Sequence, residues 1–171
     1  ALGMILGLAI LIGLAVVVWK TLQATYRSAN ETPISGPAAL GKGLGIAAVG
    51  GPLIEMSLSI VGSAISEQYQ SSILFSGATL IVVVGSAYVS GYVAAHTYEN
   101  TRLMNGKLNA VLGGLARAPA LFLLAATRPE HLSWLAFCLF FPCALVGAIH
   151  RDRTSSSLSS ATSMDTPGTD A

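Results

Sequence analysis

The stretch GLGIAAVGGPLIEMSLSIVGSAIS, residues 43–66, decides how this chain is organised. It is long enough for a helix to cross hydrocarbon, which takes about 20 mostly apolar residues. Yet it carries Glu55, Pro52 and a scatter of glycine and serine, so its hydropathy alone does not settle whether it spans. The blocks around it are plainer: 2–19, 73–95, 108–126 and 132–149 are each apolar and close to the length of a span. Hydrophobic residues make up 53% of the chain and charged ones 10%, against roughly 25% charged in a soluble domain. The charges sit between the blocks or at their ends. A net charge of +1, dispersed in this way, offers nucleic acid no basic surface.

Lys and Arg stay on the cytoplasmic side of short membrane loops, which provides an independent test of residues 43–66. With five spans, Lys20, Arg27, Lys42, Arg102, Lys107, Arg151 and Arg153 share one face and Arg128 lies opposite. With four spans and 43–66 left out, the basic residues divide evenly and the bias disappears. The expectation is therefore an all-α, polytopic transmembrane bundle of five spans, with four as the alternative. Its N-terminus lies outside and its C-terminus in the cytoplasm. The first block is expected to be retained, because it lacks a basic leader and runs longer than the apolar core of a signal peptide. Residues 23–40, with Asn30, Pro33, Gly36 and Pro37, read as a loop. Residues 1–153 form the membrane domain, and 154–171, nearly all Ser, Thr, Asp, Pro and Gly, read as a disordered cytoplasmic tail that lacks apolar surface to bury.

Helices in lipid associate through close backbone approach and interhelical hydrogen bonds. Gly3 and Gly7 on the first block, and Ala87 and Gly91 on the third, form small-residue stripes. They read as bundle packing and as a surface for a homo-oligomer or a membrane partner.

Two residues demand more. Glu55 and Arg117 sit near the middle of their blocks, where a charge costs at least about 2.5–3.5 kcal/mol and turns to the protein interior. Residues four apart share a helix face. Gly51, Glu55, Ser59 and Ser63 make one small, polar face, and Asn109, Gly113 and Arg117 another. Glu55 lies about twelve residues in from Gly43 and Arg117 about nine in from Leu108, a depth difference of roughly 4–5 Å at 1.5 Å per residue. An ion pair between them is within reach. The plain reading makes it a structural lock between two helices bent by Gly50, Gly51, Pro52 and Pro119. The sharper one makes Glu55 a proton- or cation-binding carboxylate in a polar cavity with Ser57, Ser59 and Ser63, since broken helices beside a midplane charge are the form of many transporter sites. The candidate intramembrane site is thus Glu55, Arg117, Ser59, Ser63 and Asn109.

Nothing else in the chain points to chemistry. Cys138 and Cys143 have neither a CxxC nor a metal spacing, and His96, His131 and His150 lie at span ends, where solvation is expected. There is no HExxH, no phosphate-cradling glycine loop followed by Lys, and no Ser-His-Asp set. No enzyme activity, metal or cofactor is expected. The only clear partner is the lipid bilayer.

Ser90, Gly91, Tyr92, Val93, Ala94 and Ala95, a polar loop to Asn105 and Gly106, and Leu108 to Leu115 with Gly113 and Gly114 resemble a pattern in small, uncharacterised bacterial multi-span inner-membrane proteins. The resemblance covers about half the chain and implies an α-helical bundle in the inner membrane. Members of that group usually have about four spans; this chain departs from them in the Glu55-bearing second block.

Overall fold

The computed structural model describes residues 32–65, 73–98, 100–127 and 133–164, with isolated helical positions at Val16, Lys20, Gln23 and Arg27. Apart from Val16, the first expected span, 2–19, lies outside the described residues. The rest is helical: α1 (Gly36–Gly45), a π-helical turn (Ile46–Gly50), α2 (Gly51–Ile65), α3 (Ile73–Ala94), α4 (Arg102–Thr127) and α5 (Ser133–Met164). α1, the π turn and α2 follow one another without a gap, so they make one continuous rod.

Two boundaries differ from expectation. The rod begins at Gly36, inside the stretch read as a loop, because Pro37 falls in the first helical turn, where its fixed φ fits and its missing N–H costs nothing. At the other end, α5 runs on through Met164 into the stretch read as a disordered tail. Extending an existing helix is far cheaper than nucleating one, and the hydroxyls satisfy themselves on the preceding turn: Thr154 donates to the His150 carbonyl at 2.6 Å, Ser155 to Arg151 at 3.0 Å and Ser156 to Asp152 at 2.9 Å. Residues 165–171 lie outside the described residues.

Among the described residues, three helical stretches are long and apolar enough to cross a membrane: Gly36–Gly62, Phe75–Ala94 and Trp134–Ser156. They point to a membrane-embedded protein. The expected span 108–126 falls in α4, a helix of 26 residues in which the side chains of 120 and 123–127 lie outside the described residues. The distribution of side chains agrees with a lipid surround. Ser76, Thr79, Ser90, Asn105, Asn109 and Arg117 are buried, while Val49, Leu53, Met56, Ile60, Ile81, Leu115 and Phe122 are exposed. A water-soluble fold hides most of its large apolar residues and leaves its charges exposed; here many large apolar residues are exposed and Arg117 is buried.

Contacts between the ends show that the helices alternate in direction. Ile34, just before α1, forms a bridge with Thr97, just after α3, and Asn105 at the start of α4 donates to the Gly36 carbonyl at 2.9 Å. Tyr88 and Tyr92, late in α3, meet His150 and Arg151, late in α5. The core is built largely of small residues: Ala47, Val83, Ala87, Ala110, Leu121, Ala136, Phe140 and Ala144.

Glycines bring the backbones into contact. A Cβ on Gly91 would lie 1.9 Å from the Ala144 carbonyl oxygen, and one on Gly147 would lie 2.1 Å from that of Tyr88. Ala87 is fully buried in the same seam. The Ala87–Gly91 stripe, read from sequence as bundle packing and as a surface for a homo-oligomer or partner, packs inside the chain against α5. Gly3 and Gly7 lie outside the described residues.

Candidate functional site

α4 presents Asn105, Asn109, Gly113 and Arg117 at four-residue intervals, so all four fall on one face. Each meets a neighbour. Asn105 reaches the Gly36 carbonyl, Asn109 Nδ2 donates to Ser90 Oγ at 3.0 Å, and Gly113 lies under Ala47 and Phe140. Arg117 is 1% exposed. Its Nη1 donates to the Ala47 carbonyl at 3.3 Å and to Ser86 Oγ at 3.3 Å, and its Nη2 forms an ion pair with Glu55 Oε1. One guanidinium thus joins the π turn, α2 and α3 to α4.

The Ala47 contact has a local cause. Within the π turn, Gly51 N–H bonds back to the Ile46 carbonyl, five residues earlier. The next donor in that register would be residue 52, and Pro52 has no N–H. The Ala47 carbonyl loses its ladder partner, and a buried carbonyl left without one costs about 1–3 kcal/mol. Arg117 Nη1 takes the vacant place. Gly51 makes this approach feasible, since a Cβ there would lie 1.8 Å from Nη1. Extra-residue turns of this kind occur often at functional positions.

No protein-family model, curated protein or solved structure matches this chain. The site must be read from its own geometry.

The remaining residues of the candidate site divide. Asn109 is fully buried, and its Oδ1 has no hydrogen-bond partner among the described residues; it sits 2.8 Å from where a Cβ on Gly43 would be, so it closes on the bare backbone of α1. Ser59 lies half-buried one turn beyond Glu55. Ser63 is in the last turn of α2, and its side chain lies outside the described residues. Ser57, read as part of a polar cavity, donates instead to the Leu53 carbonyl of its own helix at 2.8 Å. Glu55 keeps 17% of its side chain accessible, against 1% for Arg117.

A second polar cluster, missed from sequence, lies where α3 ends. His96 is 2% exposed and accepts at Nδ1 from Arg151 Nη2, which corrects the expectation that it is solvated. Arg151 Nη1 donates to the Tyr92 hydroxyl at 3.1 Å, and Arg102 Nε donates to the Thr97 carbonyl at 3.3 Å. His150 is exposed and bonded to the Tyr88 hydroxyl; His131 lies outside the described residues. Part of the signal was present in the sequence: Tyr88 and Tyr92 are four apart and share one face of α3, and His96 follows just past its end. What the sequence lacked was the partner, since nothing local assigns His150 and Arg151 to that face.

Proposed function

We propose that this chain is a non-enzymatic structural or assembly subunit of a bacterial inner membrane. It is a five-span bundle with its N-terminus outside and its C-terminus in the cytoplasm. The observation that carries this reading is the Arg117 brace. Its guanidinium is buried and bonded to a carboxylate on α2, a carbonyl freed by Pro52 and a hydroxyl on α3. A charge committed to several helices at once fixes their register. The grouping of Lys42, Arg102, Lys107, Arg151 and Arg153 toward one end of the bundle supports the assignment of that end to the cytoplasm. Contact with a homo-oligomer or partner subunit is assigned to the Gly3–Gly7 face.

The test is a cycle of Glu55→Gln, Arg117→Gln and the double substitution, read as folded yield from membranes. Recovery in the double variant supports a brace. Additive losses would sink it.

A small transporter or channel component is the second reading, favoured by the accessible fraction of Glu55. In it the carboxylate leaves Arg117 to bind a proton or cation while Ala47 and Ser86 hold the guanidinium in place. Proton or cation flux into proteoliposomes that is abolished by Glu55→Gln would establish this reading. Equal flux in both proteins would remove it.

A further inference from the structure

The guanidinium of Arg151 is hydrogen-bonded to uncharged groups. It donates to a phenol, Tyr92, and to an imidazole nitrogen, His96 Nδ1, and its Cζ lies 5.3 Å from the centroid of the Tyr92 ring. A histidine nitrogen that accepts a hydrogen bond from arginine carries no proton itself, and a phenol carries no charge at neutral pH. Among the described residues no carboxylate touches Arg151. A guanidinium has five N–H donors. Among the described residues the contacts above use one on each terminal nitrogen and leave one on each for a ligand, while Nε is buried without a partner.

The surroundings suit a phosphate. Tyr88, Tyr92 and His150 stand beside Arg151 as a half-exposed group of rings, with centroids 6.4 Å apart for Tyr88 and Tyr92 and 5.8 Å apart for Tyr92 and His150. Guanidinium matches phosphate geometry better than any other side chain. The level is also that of a headgroup: α3 ends at Ala94, and the apolar run of α5 ends at Ile149. One turn before His150 on the same face of α5, Val146 is 56% exposed, an apolar flank along which an acyl chain would lie. Basic positions between helices at this depth bind anionic headgroups.

We propose that Arg151, with Tyr92 and His150, binds the phosphate of an anionic phospholipid whose chain runs along Val146. The inference rests on the membrane reading above. It is independent of whether the Arg117 brace is structural or takes part in transport.

The experiment uses the full chain, purified in a neutral detergent, with thermal unfolding followed as phosphatidylglycerol, phosphatidylcholine or inorganic phosphate is added. A ligand that binds only the folded state raises the midpoint in proportion to its saturation. Phosphatidylglycerol is expected to raise it where phosphatidylcholine does not. Arg151→Gln should need at least tenfold more lipid for the same shift. Arg153→Gln, an equal charge change at an exposed neighbour, should respond like the parent. Arg151→Lys keeps the charge if Arg151→Gln does not fold, and is expected to bind several-fold more weakly, because an ammonium cannot span both contacts.

Equal weakening by Arg151→Gln and Arg153→Gln would reduce the effect to diffuse surface charge and overturn the site. So would equal shifts with the two lipids. Inorganic phosphate that reproduces the whole shift would overturn the lipid as its source and assign the site to a soluble phosphate. Partition of the protein into water on detergent phase separation would overturn the membrane reading itself, whatever the variants do.

Discussion

A Cβ on Gly51 would lie 1.8 Å from Arg117 Nη1, whereas one on Gly50 would meet nothing within 4 Å. Two adjacent glycines therefore have different reasons to be there. Alanine in a helix is ordinarily favoured over glycine by about 1 kcal/mol. Gly50→Ala is expected to be neutral or stabilising within that amount. Gly51→Ala is expected to destabilise by about 2 kcal/mol or more, since it pushes a buried guanidinium off its partners. Unfolding of both variants in mixed micelles checks the contrast, and similar stabilities would deny the close approach.

Glu55 and Arg117 should behave as one unit. Removing either partner of a buried pair leaves the other uncompensated and costs about 3–5 kcal/mol. The double substitution is expected to cost less than the sum by about 0.5–3 kcal/mol. The same unfolding assay measures this coupling, and a value near zero would show that the contact carries no energy.

Pro52→Ala returns an N–H to the helix where the Ala47 carbonyl lacks one. In that background Arg117 has lost one of its three acceptors to the ladder, so Arg117→Gln should be milder than in the parent by about 1 kcal/mol, the net worth of one hydrogen bond. A penalty for Arg117→Gln that is unchanged by residue 52 would mean that the proline and the guanidinium act separately.

The α3–α5 seam depends on bare backbone. Gly91→Ala and Gly147→Ala place a methyl against a carbonyl oxygen at 1.9 and 2.1 Å, so the helices must separate. Each is expected to cost about 1–3 kcal/mol, as overpacking does. Gly85→Ala, on the same helix with nothing within 4 Å, is the control and should be neutral or better. Reduced proteolytic resistance in the first two and not in the third is the outcome to look for.

Helical periodicity made much of the site legible. Counting by four from Glu55 and from Arg117 placed each on a polar face, and counting 1.5 Å per residue put them at similar depth. The π turn was not legible. Pro52 was read as a bend, and a missing N–H does not itself say which carbonyl is freed or what will fill its place. Burial of His96 was equally hidden, because residues at the end of an apolar block look alike whether water or Arg151 stands beside them. The Ser- and Thr-rich stretch after Arg153 was misjudged for a related reason: its composition lacks apolar surface, but a helix already nucleated upstream needs none to continue for several turns.

By itself, the sequence determined that the chain is helical and suited to lipid, and which residues could not face that lipid. Those properties are sums over local composition and period, and each residue contributes to them whatever lies across from it. Only the tertiary structure decided what each inward residue meets: α5 against Gly91, the Ala47 carbonyl and Ser86 as well as Glu55 around Arg117, and Arg151 over Tyr92. Partner choice depends on distances between segments far apart in the chain. A guanidinium will accept any well-placed oxygen, and only the packing of the helices determines which oxygen arrives.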